Sequence, residues 1–90
     1  KSAVMLSQVL EQVQQASRAG ERSTKKLTDL AKASLLRVPR CEIDYLAIVD
    51  QNTLMPLKRI DKEARMLMAV KFQQKPWVRL IDNGPLVVEN

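Results

Sequence analysis

Four carboxylates, Asp44, Asp50, Asp61 and Glu63, lie in one short stretch in the middle of the chain. By type they are the groups that could act as a general base or hold a divalent cation. Each also has an ordinary use as a solvated charge or a turn cap, where exposed carboxylates mostly belong. Cys41 follows Arg40, and a cation beside a thiol can favour the reactive thiolate, although a half-buried inert thiol is the more common case. The sequence has no histidine, which removes His-based acid–base catalysis and the Ser/His and Cys/His nucleophile pairs. With one cysteine and no histidine there is no zinc-type ligand cluster. The two glycines, Gly20 and Gly84, are too far apart for a dinucleotide fingerprint or a phosphate loop. The expectation is a chain with no complete catalytic, cofactor-binding or metal site of its own.

The elements that must position these groups follow from hydrophobic periodicity. Leu6, Val9, Leu10, Val13 and Ala16 recur at helical spacing and predict an amphipathic helix over 2–19, ended by Gly20. Ser23 or Thr24 can cap a second helix over 24–36 with the stripe Leu27, Leu30, Ala31, Ser34 and Leu35, which must stop before Pro39.

The period then changes to two. Ile43, Tyr45, Ala47 and Val49 alternate with Asp44, Leu46, Ile48 and Asp50, predicting a strand over 42–50, followed by turn chemistry at Asp50-Gln51-Asn52-Thr53. A second strand is predicted over 64–72, with Met66, Met68, Val70 and Phe72 on one face. A third is predicted over 77–82, broken by Asn83-Gly84-Pro85. The order helix, helix, strand, strand, strand predicts an α+β fold: two amino-terminal helices packed on a small three-stranded antiparallel sheet.

Ninety residues suffice for one domain, 1–90, and the 46% hydrophobic content is that of an ordinary globular chain. Its aromatics are Tyr45, Phe72 and Trp77, so aliphatic and methionine side chains must fill the core. Fifteen basic against ten acidic residues give a net charge of +5, which admits a nucleic-acid partner, but the basic residues are scattered and stacking aromatics are few. No apolar run reaches the roughly 18 to 20 residues of a membrane span, so no membrane partner and a cytoplasmic location are expected. The chain opens on Lys1 directly into a helical pattern, as a piece of a longer protein would.

The ordered set Asp44-Tyr45, Asp50 with Thr53-Leu54, the apolar strand from Ala64 to Val70, and the closing Arg79-Leu80-Ile81-Asp82-Asn83 resembles the carboxy-terminal domain of the pantothenate synthetase (pantoate-beta-alanine ligase) family. The resemblance covers nearly the whole chain. It implies an ATP-dependent, AMP-forming ligase that makes pantothenate through a pantoyl adenylate, with ATP and Mg bound in the full-length enzyme and neither by this segment alone. It further implies that a Rossmann-like amino-terminal domain is this chain's partner, that the full-length enzyme is a homodimer, and that this segment is a lid, inactive by itself. Asp44, Tyr45, Asp50, Thr53, Leu54, Arg79, Leu80, Ile81, Asp82 and Asn83 are then family signature residues with a structural use, the Asp82-Asn83-Gly84 run being read as a turn. The chain departs from the family pattern at Gln73-Gln74-Lys75-Pro76-Trp77, a longer connection that would put Trp77 at a hairpin tip. A small basic adaptor or RNA-binding module is the alternative reading.

Overall fold

The structure, a computed structural model, describes residues 2–61, 63–72 and 78–88. Helix α1 spans Ser2–Arg18 and α2 spans Thr24–Leu35. Strands β1 (Cys41–Asp50), β2 (Glu63–Phe72) and β3 (Val78–Val87) form one antiparallel sheet in the order β1-β2-β3. The expected α+β architecture is the one observed. The predicted connection Gln73–Trp77, with Trp77 at its tip, lies outside the described residues. Among those described, no helix is long and apolar enough to cross a membrane.

The ends of α1 and α2 are set locally. Gly20 takes φ 113°, a left-handed value that glycine adopts without a Cβ clash, and the Glu21 N–H returns to the Ala16 carbonyl at 3.1 Å to close α1. Ser23 caps α2 by accepting the Lys26 N–H on its hydroxyl. The segment after the β1 turn then ties the two helices to the sheet. Thr24 Oγ1 donates to the Leu57 carbonyl at 2.7 Å, and Arg22 Nη1 donates to the carbonyls of Ile60 (3.2 Å) and Asp61 (2.6 Å).

The core lies between the helix layer and one face of the sheet. Leu6, Val9 and Val13 of α1 and Leu27, Ala31 and Leu35 of α2 meet Ile48, Ala64, Met66, Met68, Val70, Phe72 and Leu86, all buried. The unbranched methionines suit an interior with little aromatic volume, because their side chains adapt to irregular gaps. Helix α1 lies mainly over β3 and α2 over β1.

Two expectations are corrected. Ile43 and Tyr45 do not share a face. Ile43 pairs with Val70 and Tyr45 with the adjacent Ala69, so Asp44 is an extra residue in β1 and forms a bulge. Ile43 therefore joins Leu46 and Ile48 against the helices, while Tyr45 turns to the opposite face. Nor does the third strand end at Asp82. It continues through Asn83, Gly84 and Pro85 to Val87, in unbroken register with β2 from Phe72↔Val78 to Glu63↔Val87. Gly84 is needed there for space rather than for a turn, since a Cβ at that position would lie 2.6 Å from Leu10 Cδ2 of α1. Pro85 is tolerated because β3 is an edge strand.

The carbonyls near that end of β3 are met by α1 side chains. Gln14 Nε2 donates to the Pro85 carbonyl at 3.0 Å. The fully buried Ser17 places its hydroxyl 2.9 Å from the Val87 carbonyl and 3.0 Å from that of Gln14 in its own helix.

Candidate functional site

Alternation along three paired strands gives the sheet a second face, turned away from the helices. Register places Tyr45, Ala69 and Ile81 in one row across it and Ala47, Leu67 and Asn83 in the next. Large apolar groups stand in solvent here, with Ile81 66% and Tyr45 48% exposed; Val87, further along β3, is also exposed. Ala69, in the middle of the first row, is buried among its neighbours. Arg65 Nη1 donates to Asn83 Oδ1 at 2.6 Å across β2 and β3. At the bulge, Asp44 Oδ1 lies 3.7 Å from Lys71 Nζ.

The signature residues thus divide by position. Tyr45, Ile81 and Asn83 share the open face. Leu80 and Asp82 belong to the helix-facing register, Leu80 packing on the core and Asp82 lying opposite Met68. The Asp82 carboxylate accepts its neighbour's N–H, that of Asn83, at 2.8 Å, a local bond within a continuing strand and not the turn read from the sequence. Arg79 pairs with Lys71 in the ladder.

Asp50, Thr53 and Leu54 build the turn after β1. Asp50 Oδ1 accepts the N–H groups of Asn52 (2.8 Å) and Thr53 (2.9 Å), Thr53 Oγ1 accepts the Met55 N–H, and the Leu54 N–H returns to the Asp50 carbonyl at 3.0 Å. The Thr53 and Asn52 N–H groups stabilise the anion and hold the Asp50 carboxyl below its ordinary value. Leu54 takes φ 62°, rare for a residue with a Cβ, and Leu54 and Met55 both project into solvent. The Asp50 N–H to Met55 carbonyl and Leu57 N–H to Ile48 carbonyl bonds fold the return segment onto the free edge of β1.

Of the four carboxylates singled out by type, three come together. Asp50, Asp61 and Glu63, with Gln51 and Asn52, line a shallow open cleft of about 380 Å³, whereas Asp44 sits apart at the bulge. No group of three or more His, Cys, Asp or Glu residues suited to holding a metal ion occurs among the described residues. Cys41 is half-buried, and that burial pushes its thiol above the ordinary value, away from a reactive thiolate. The feature that sequence reasoning missed is the open apolar face itself. Its signal was present in the apolar residues on both sides of β1, which leave undecided which side the helices cover.

The sequence model of the family "Pantoate-beta-alanine ligase" matches residues 1–85. The pantothenate synthetase of Syntrophotalea carbinolica is 37% identical over 89 residues, covering 99% of this chain and 30% of the relative. That of Pelotomaculum thermopropionicum is 38% identical over 86 residues, covering 96% of this chain and 29% of the relative. A crystal structure of the pantothenate synthetase of Thermus thermophilus superposes with a TM-score of 0.76 at 34% identity, covering 89% of this chain and 28% of that one. The chain therefore spans less than a third of the length of the relatives it matches.

Proposed function

Because this chain belongs to the pantoate-beta-alanine ligase family, we propose that it is the carboxy-terminal lid of an enzyme that joins pantoate to β-alanine with consumption of ATP. The observation that carries the reading is the match along nearly the whole chain to under a third of each relative.

Among the described residues, none form a site for ATP or Mg by themselves. Neither glycine opens a phosphate-cradling loop, and no acid cluster suited to a cation occurs among the described residues. No chemical step is assigned to this chain. In the proposed enzyme the pantoate carboxylate displaces pyrophosphate from ATP, and the β-alanine amine then displaces AMP from the acyl group. Water is the competitor for that second step. A two-layer domain closing over the reacting groups excludes water, so that amine attack outruns hydrolysis.

The test replaces the matched segment of the Syntrophotalea carbinolica enzyme with this chain and measures AMP and pantothenate formed from ATP, pantoate and β-alanine. The expected result is turnover by the chimera with AMP and pantothenate in equal amounts, and none by the 90-residue chain alone. An inactive chimera that is nonetheless folded, or turnover by the isolated chain, overturns the reading.

A further inference from the structure

The chain's sulfur lies in four methionines, Met5, Met55, Met66 and Met68, and in Cys41. The fold treats them unequally. Met66 and Met68 are 0% and 1% exposed, inside the core between helices and sheet, and Met5 packs against that core. Met55 is 64% exposed. Cys41 is half-buried, and burial raises its thiol above the ordinary value, so little of it is the thiolate that reacts with oxidants. A thioether has no proton to lose before it reacts, so access to the sulfur decides its rate.

Met55 stands where the backbone is held and the side chain is not. Its N–H donates to Thr53 Oγ1 at 3.3 Å and its carbonyl accepts the Asp50 N–H at 2.8 Å. Two residues on, the Leu57 N–H donates to the Ile48 carbonyl at 3.0 Å. The chain is thus anchored to the turn on one side and to β1 on the other. The Met55 side chain takes no part in the core, and neither does its neighbour Leu54, 56% exposed. Oxidation converts an apolar thioether into a polar sulfoxide. At Met66 or Met68 that change would set a polar oxygen among apolar side chains, which is costly without a hydrogen bond. At Met55 the added oxygen meets solvent, and the fold loses no apolar contact.

We propose that Met55 is a reversible oxidation site of this protein, taking one oxygen from a peroxide before the other methionines or Cys41 react and leaving the domain folded. In the forward step a sulfur lone pair attacks one peroxide oxygen. The S–O bond forms, the O–O bond breaks, sulfur loses two electrons, and the second oxygen leaves with the proton as water or an alcohol. In the reverse step a thiol-dependent sulfoxide reductase removes that oxygen as water while two thiols become a disulfide. The inference does not depend on the lid reading.

The folded chain is treated with hydrogen peroxide at neutral pH, and oxygen uptake at each sulfur is followed by peptide mass spectrometry. Met55 should react roughly tenfold faster than Met66 and Met68, with Met5 between them, and the four rates should converge in denaturant. Uptake at Met66 or Met68 as fast as at Met55, or oxidation of Cys41 first, overturns the proposal. Once Met55 is converted, the thermal midpoint should stay within about 4 °C of the reduced chain, as for an ordinary surface change. A larger drop overturns the claim that the domain tolerates the oxygen. Met55→Leu keeps the apolar volume and should abolish the fast phase without altering the rates at Met66 and Met68; a fast phase that persists refutes the assignment. A mixture of methionine sulfoxide reductases acting on both sulfoxide epimers should restore the thioether, and failure to do so removes the reversibility. The same order of reaction is expected in the Syntrophotalea carbinolica chimera, where protection of Met55 would overturn the proposal whether or not the chimera turns over.

Discussion

Gly84 of β3 and Leu10 of α1 touch so closely that a single added carbon at position 84 would come within 2.6 Å of the leucine Cδ2 and 3.3 Å of its Cγ. A Cβ at position 84 therefore fits only if the Leu10 side chain moves. Gly84→Ala should destabilise the chain by about 1–2 kcal/mol, the usual range for overpacking a well-filled interior, and Gly84→Val by more. Because the obstructing atom is the end of a flexible side chain, Leu10→Ala should recover part of the loss in a double-mutant cycle read by urea unfolding. Additive effects would show that the Leu10 side chain is not what opposes a Cβ at position 84.

Ser17 is buried, and its hydroxyl links α1 to the Val87 carbonyl at 2.9 Å. Ser17→Ala removes that donor and leaves a carbonyl without it. A loss of about 1–2 kcal/mol in chemical denaturation is expected, together with faster amide exchange at the end of β3.

Asp50 supplies a pH dependence whose sign follows from its hydrogen bonds. The Thr53 and Asn52 N–H groups lower its folded value, so the stabilisation is fully present above the unfolded carboxylate range and is lost as pH falls through the depressed folded value. The advantage of the native chain over Asp50→Asn should therefore be constant from about pH 5 to 8 and shrink below about pH 4. Urea melts of both proteins across that range measure it. A gap that widens on acidification would refute the assignment.

The two sheet faces should respond differently to truncation in the isolated chain. Met68 is buried between helices and sheet, and Met68→Ala should cost roughly 2–5 kcal/mol, whereas the exposed Ile81→Ala should stay within about 0.5 kcal/mol. Thermal unfolding distinguishes them. A large loss at Ile81 in the isolated chain would mean that the open face is already covered.

Cys41 is the chain's one thiol, and burial raises its value. Iodoacetamide should modify it near neutral pH more slowly than an unstructured cysteine peptide, with the difference vanishing in denaturant. Equal rates would show that the thiol is as accessible as a free one.

What the sequence determined by itself was local and compositional. Period 3.6 and then period 2 marked two helices and three strands. Gly20 and Ser23 marked helix ends because their conformational and hydrogen-bonding roles act within a few residues. The absence of histidine excluded whole classes of chemistry without any coordinates. The signature runs around Asp44-Tyr45 and Arg79–Asn83 pointed to the family.

What only the tertiary structure decided depends on residues distant in sequence. Apolar residues on both sides of β1 allowed either face to be the covered one, and the extra residue at Asp44 changed the alternation that would have assigned them. Asn83-Gly84-Pro85 carries the local chemistry of a strand break. The strand continues because Arg65 bonds Asn83, Leu10 requires the space at Gly84, and Gln14, 71 residues away, meets the Pro85 carbonyl. Local propensity is a weak preference that packing and hydrogen bonding outweigh, and those forces exist only once the chain has folded back on itself.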